Sequence, residues 1–226
     1  MIEIEPDGFS IVPHVIDGRQ ADLLIAAVDK HHPGRAAAYG RRDLLSVPEV
    51  VELATSKGIR ALVVPVLGKA AFAVRGLWFD KLPLANWKVA WHQDLTIAVR
   101  QRVDVAGFQA WSVKDGVPHV QPPAEVLERM LAVRIHLDDC GQRDGPLRVI
   151  PRSHGSGRLS AAAIEQWKQT GQERACCVPQ GGALLMRPLL LHSSSAADHP
   201  GHRRVIHLEF ASGELPGGLE WHTRLL

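Results

Sequence analysis

The hydrophobic rhythm of the chain changes once, near residue 70. Before that point apolar residues recur every three or four positions, the helical period. "GRQADLLIAAVDKH" (18–31) follows Asp17, a suitable N-cap. "EVVELATSK" (49–57) follows Ser46-Val-Pro-Glu49, which reads as a capping box with proline near the first turn and Gly58 as the stop. A third helical pattern, "IRALVVPVLG" (59–68), carries Pro65. From residue 71 the runs become short, β-branched and bounded by Gly, Pro and Asp: "AFAVRGLWF", "LTIAVRQRV", "MLAVRIHL", "PLRVIP", "ALLMRP" and "RRVIHLEFA". Each is a predicted strand. Two helices interrupt them, "PPAEVLERM", opened by proline, and "AAAIEQWKQT", ended by Gly171.

No repeat, low-complexity tract or linker-like break divides the 226 residues. The pattern predicts one domain over 1–226: a mostly helical layer over 1–70, packed on a mainly β sandwich or barrel over 71–226. Strands alternating regularly with helices would suggest a parallel sheet, but this strand-rich stretch is too continuous. Composition alters little, since 46% apolar and 22% charged residues are ordinary for a soluble globular protein. A net charge of +2 argues against a nucleic-acid binder with a dominant basic face. The first residues lack a basic segment followed by an apolar core, and no apolar run approaches the roughly 18 residues of a membrane span. Three cysteines, two of them adjacent (Cys176 and Cys177), make no disulfide framework. A cytoplasmic location without membrane contact is therefore expected.

The candidate chemistry lies in the histidines. With 12 His and 24 acidic residues, chance alone gives about one His-x-acid pair, and three occur: His92/Asp94, His136/Asp138 and His207/Glu209. Residues i and i+2 of a strand share a face, so each pair could offer an imidazole and a carboxylate side by side. A third ligand from another strand would complete a two-His-one-carboxylate facial triad, the arrangement of non-haem Fe(II) oxygenases. The segment "GGALLMRPLLLHSSSAADHPGHRRVIHLEF" supplies His192 after an apolar run and, eleven residues on, Arg203 at the start of a strand. An antiparallel return would bring that guanidinium back toward His192, where its planar fork can grip a carboxylate. Alternation puts Arg204 on the opposite face.

These pieces resemble the phytanoyl-CoA dioxygenase family of Fe(II)/2-oxoglutarate oxygenases. The matching segments are "WHQD", "RIHLDDCGQRDGPLRVIPRSHGSGRL" and "GGALLMRPLLLHSSSAADHPGHRRVIHLEFA", with "DGFSIVPHVID" similar to the family's opening. The resemblance implies a double-stranded β-helix, a cupin-like jelly roll. It also implies His92, Asp94 and His192 as iron ligands and catalytic centre, with Arg203 against the distal carboxylate of 2-oxoglutarate. Fe(II), 2-oxoglutarate and O2 would be the cofactor and co-substrates, and a small molecule would be hydroxylated with release of succinate and CO2. A carboxylate at position 94 favours hydroxylation over halogenation, because related halogenases have a small residue there. Ser194 is either a hydroxyl donor to the same carboxylate or a structural serine. His136 either touches a ligand or stays a strand-face side chain beside Arg134. Asp138 and Asp139 are expected to cap a turn, and Glu209 to be a strand-face charge. His154 is expected to order its Gly/Ser-rich loop, where Arg152 stands at the glycine of the family's usual "PGSH".

Residues 107–123, "GFQAWSVKDGVPHVQPP", lack regular periodicity. They read either as a substrate lid or as a structural loop with Trp111 as its own small core. As a lid they would offer Trp111, Lys114, His119 and Gln121 to the substrate. Two other classes compete with the oxygenase: a metal-dependent cupin-like isomerase or hydrolase without 2-oxoglutarate, and a non-catalytic binding module. Arg203 speaks against the first, and a complete ligand set against the second.

Overall fold

A computed structural model describes residues 4–31 and 40–226. Helix α1 (Gly18–His31) begins as expected, with the Gln20 amide donating to Asp17 Oδ1 at 2.7 Å. The next two boundaries differ from the sequence pattern. Ser46 closes a short 3-10 turn and spends its hydroxyl on the Asp43 carbonyl, so no capping box forms. Extended Val47, as befits a residue before proline, precedes α2 (Pro48–Thr55). Gly58 is no stop, because Ser56 caps a new helix, α3 (Lys57–Leu67), through the Ile59 amide. Pro65 sits in the last turn of α3, and Gly68 follows at φ 84°.

The rest is mainly antiparallel β. Strands β1 (Phe9–Val12), β2 (Phe72–Asp80), β7 (Met130–His136), β10 (Ala183–Met186) and β12 (Arg204–Ala211) form a five-stranded sheet in the order β1-β10-β7-β12-β2. A second sheet runs β3-β11-β8-β9, built from Val89–His92, His192–Ser194, Leu147–Val149 and Arg174–Cys176. The third, β4-β6-β5, holds Ile97–Ala98, Val117–Gln121 and Gln109–Lys114. Two further helices, α4 (Ala124–Leu127) and α5 (Ala161–Thr170), fall on the predicted segments; Ser160 caps α5. Among the described residues before 71, the regular elements are helical apart from β1, which pairs with β10 as a sheet edge.

Alternation along β7 and β12 divides the molecule into layers. Leu131, Val133 and Ile135, with Ile206, Leu208 and Phe210, face the buried residues of α1, α2 and α3. The helical layer therefore covers one face of the large sheet. The opposite face turns toward the second sheet, where Ala132, Leu184 and Met186 pack against Leu147, Val149 and Cys176. Arg134, His136, His207 and Glu209 alternate with those apolar residues, so polar groups are carried inside. Burying such side chains is costly unless something inside satisfies them.

Residues 107–123 are not an irregular loop. Strands β5 and β6 form a hairpin closed by Asp115 and Gly116, at φ 50° and 80°. Two successive left-handed residues suit the right-handed twist of a two-residue hairpin loop, and Asp-Gly is a preferred pair there. The run "LTIAVRQRV" in turn gives only the two-residue β4, after which Val99 bridges to Trp221. Among the described residues no helix is long and apolar enough to cross a membrane.

Candidate metal and anion site

His92 ends β3 and His192 begins β11, and the two are directly paired in the antiparallel register. Paired residues place their side chains on one face, and the imidazole centroids lie 4.2 Å apart. Asp94 lies just past β3, where its amide donates to the Pro188 carbonyl at 2.9 Å. Its carboxylate oxygens stand 3.9 Å from His92 Nε2 and 3.8 Å from His192 Nε2. Ligand atoms about 2.1 Å from a common ion lie roughly 3–4 Å apart, and these three lie within 4.8 Å of one another. Each imidazole donates from Nδ1 to the carbonyl two residues earlier, His92 to Ala90 at 2.8 Å and His192 to Leu190 at 2.9 Å. A carbonyl only accepts, so Nδ1 carries the proton and Nε2 presents a lone pair to the centre.

The electrostatics agree with ligation. Burial pushes His192 down to about 4, against the pull of Asp94, so the ring is neutral at pH 7. For Asp94, burial raises the carboxyl, but His192, His207, His92 and Arg75 outweigh it and hold the group at about 2. Gln93, between the ligands, points away from them. Its amide donates to the carbonyls of Gly157 (2.8 Å) and Leu189 (2.6 Å), and its oxygen accepts from the Leu159 amide (2.8 Å). One buried carboxamide thus ties the His92–Asp94 strand end to two neighbouring loops.

Beyond His192, a set of cations converges. Arg203 and Lys81 are both buried, and both donate to the carbonyl of Gly145. Lys81 Nζ also donates to Ser194 Oγ at 3.1 Å and to the Ser195 carbonyl. Gly145 sits at φ 61°, and a Cβ there would meet the Ser195 carbonyl and Lys81 Nζ, so only glycine fits. Arg134 donates to His207 Nδ1 at 2.7 Å and lies over the Phe79 ring. Arg134 Nε, Arg203 Nε and His136 Nδ1 are buried without a hydrogen-bond partner. Among the described residues none of Lys81, Arg134 and Arg203 has a carboxylate at ion-pair distance. Burial and the repulsion of Arg203 push Lys81 down to about 8 and Arg134 to about 10. His136 is driven well below its usual value by burial, then by Arg134 and Arg203. Three buried cations without a counter-ion are costly, and a multiply charged anion is the group that would satisfy them. These residues fit a dicarboxylate beside a metal.

Several predicted residues have other surroundings. Arg204 faces outward and grips Asp138, so Asp138 anchors a strand and caps no turn. Asp139 accepts from the Gln180 amide, and Asp144 caps the turn at Gly141. Glu209 is a strand-face charge as expected, but on the inner face: it is buried, paired with Arg75, and 3.3 Å from His207 Nε2. A chain Arg75–Glu209–His207–Arg134 thereby runs along the inner sheet face. His154 does order its loop, through Glu5 Oε2 at 2.9 Å, and Arg152 adopts φ 71°, which explains why glycine suits that position. Trp111 packs beside the cluster of Ile97, Phe108 and Val120, with Arg102 over its ring. His119 is buried and lines a cleft with Arg75 and Lys114. Gln121 ends β6 opposite Gln109, half-buried. Sequence reasoning missed Lys81, Gln93 and Arg75. The inward parity of Arg134, His207 and Glu209 was available as a signal, but nothing marked Lys81.

The sequence pattern of the phytanoyl-CoA dioxygenase (PhyH) family matches residues 23–205. No curated protein matches the chain. Among solved structures, the non-heme alpha ketoglutarate dependent carbocyclase SnoK from nogalamycin biosynthesis is similar with a TM-score of 0.72 and 15% identity, over 93% of this chain and 82% of that one. The epimerase SnoN, in complex with Fe3+, alpha ketoglutarate and nogalamycin RO, gives 0.69 and 16% over 95% and 88%. HygX from Streptomyces hygroscopicus, with nickel and 2-oxoglutarate bound, gives 0.64 and 16% over 92% and 84%. At these identities the likeness concerns the fold.

Proposed function

The chain belongs to the phytanoyl-CoA dioxygenase family, and from that premise we propose that it is an Fe(II)- and 2-oxoglutarate-dependent oxygenase of a small molecule. We read its two facing sheets as a double-stranded β-helix and residues 1–226 as one catalytic domain. The observation that carries the reading is a two-His-one-carboxylate cluster beside buried cations that lack a counter-ion. His92 Nε2, His192 Nε2 and the Asp94 carboxylate would hold the iron on one side, leaving the other side for co-substrates. Iron and 2-oxoglutarate, when bound, supply an oxidant strong enough for an unactivated C–H bond, with succinate and CO2 released.

The protein's part is positioning. Arg203 would hold the distal carboxylate of 2-oxoglutarate. Ser194 accepts from Lys81, which leaves its own proton free to donate to that carboxylate. His136, neutral and hemmed by Arg134 and Arg203, would line the same end. The β5–β6 hairpin, with Trp111, His119 and Gln121, would cover the substrate side as a lid. Hydroxylation is the outcome we favour. Hydrogen removal from carbon also serves ring closure and epimerisation, and the carbocyclase SnoK and epimerase SnoN share this fold. A metal-dependent isomerase or hydrolase would have no use for the uncompensated cations around Arg203.

The test is succinate release and O2 consumption against a metabolite panel, with Fe(II) and 2-oxoglutarate supplied. We expect turnover that needs both and falls by at least about a hundredfold in Asp94→Ala. Arg203→Met should raise KM for 2-oxoglutarate far more than it lowers kcat. Succinate release that is indifferent to iron, or unchanged in Asp94→Ala, would contradict the proposal.

A further inference from the structure

A cleft of about 130 Å³ lies between β2, the β5–β6 hairpin and the C-terminal segment. Its walls carry Arg42, Arg75, Lys114, His119 and His222. Against these stand Asp43 and Asp115. Most of the charge is already engaged: Arg75 is paired with Glu209, and Arg42 lies 3.7 Å from Asp115 in an exposed and therefore weak pair. Lys114 is the exception. Its ammonium meets the Thr96 hydroxyl at 3.3 Å, and among the described residues no carboxylate lies within ion-pair distance of it. His119 is 2% exposed and donates from Nδ1 to the Val117 carbonyl, which leaves Nε2 buried without a partner. Arg75 Nε is buried and unpartnered as well.

This cleft backs onto the metal-binding residues. Thr96, which Lys114 contacts, and Glu209, which Arg75 contacts, line a small cavity together with Asp94. Once Asp94 is committed to a divalent ion, its charge no longer offsets Lys114, and the mouth becomes more positive. A group held at Lys114 would place the atoms next to it toward that cavity.

We propose that this cleft binds the substrate through an anionic group, a carboxylate or a phosphate, with Lys114 as counter-ion. The substrates are then small acidic molecules. The proposal rests on the oxygenase reading for what happens to the substrate, but anion binding is measurable without iron. Metal-free protein is titrated calorimetrically with inorganic phosphate and, separately, with butyrate, in wild type, Lys114→Met, Lys114→Arg and Arg203→Met. Saturable binding of at least one anion is expected, weakened at least about tenfold in Lys114→Met, largely kept in Lys114→Arg and unaffected by Arg203→Met. The stronger of the two anions identifies the group. Three results overturn the proposal: no saturable binding of either anion, equal affinity in wild type and Lys114→Met, or loss in Arg203→Met alone. Iron and 2-oxoglutarate binding, read by absorbance in the same wild-type preparation, shows independently whether the oxygenase reading stands.

Discussion

At the residue scale, the ligands were easier to find than the residues that hold them. His92 and Asp94 became distinguishable from two rival pairs only through His192 and Arg203, a hundred residues downstream. Gln93 carried no signal, because a glutamine between two ligands looks like a spacer until its three backbone partners are seen. Truncating it strands two carbonyls, of Gly157 and Leu189, and the Leu159 amide. Gln93→Ala should therefore cost about 1–3 kcal/mol in chemical denaturation and weaken Mn(II) affinity, whereas Gln93→Glu should weaken the metal less than it destabilises the fold. Lys81 was illegible for a different reason: a lysine at a strand end is ordinarily solvated, and only the tertiary fold buries this one against Ser194 and Arg203. Burial holds its pKa at about 8, so raising the pH past that value removes a proton from the free protein. A bound dicarboxylate favours the protonated form, so affinity must fall as pH rises. We expect 2-oxoglutarate binding to weaken toward tenfold between pH 7 and 9, and Lys81→Met to show weaker binding with a flatter profile. Equal pH dependence in both would remove Lys81 from the co-substrate site.

At the element scale, the apolar, β-branched runs were legible, and the misreadings came at turns and short strands. β7, β8, β10 and β12 fall within predicted runs and β2 overruns its own by Asp80 alone, because each packs apolar side chains against a core layer. β3, β9 and β11 (VAWH, RAC and HSS) carry no apolar, β-branched run, so nothing marked them as strands. The Ser46 capping box failed because the serine found a nearer acceptor. The β5–β6 hairpin was read as irregular, although "KDGV" contains the dipeptide that such a turn needs. That turn gives a prediction of its own. Gly116 sits at φ 80° with open space around its Cα, so Gly116→Val meets backbone strain alone. It should lower stability by about 1–2 kcal/mol and loosen the hairpin, and because Lys114 and His119 ride on it, substrate KM should rise more than kcat falls. An unchanged KM would detach the hairpin from substrate binding.

At the scale of the whole molecule, the layers explain why a mainly β chain carries three helices between its first two strands. α1, α2 and α3 cover the outer face of the five-stranded sheet, which lets the inner face carry Arg75, Arg134, His136, His207 and Glu209 rather than only apolar residues. The hydrophobic core is concentrated on the helical side and the chemistry on the other. The family and its ligand pattern could be read from the order of the motifs; the surplus of buried positive charge could not, since it depends on which strands become neighbours. That surplus is also what ties the metal residues to a co-substrate. The most direct test is therefore the anaerobic absorption spectrum of the protein with Fe(II) and 2-oxoglutarate. The account predicts a metal-to-ligand charge-transfer band in the visible that needs both components, is lost in Asp94→Ala, and appears in Arg203→Met only at higher 2-oxoglutarate. No band in the wild-type protein, or a band indifferent to Asp94, would contradict it.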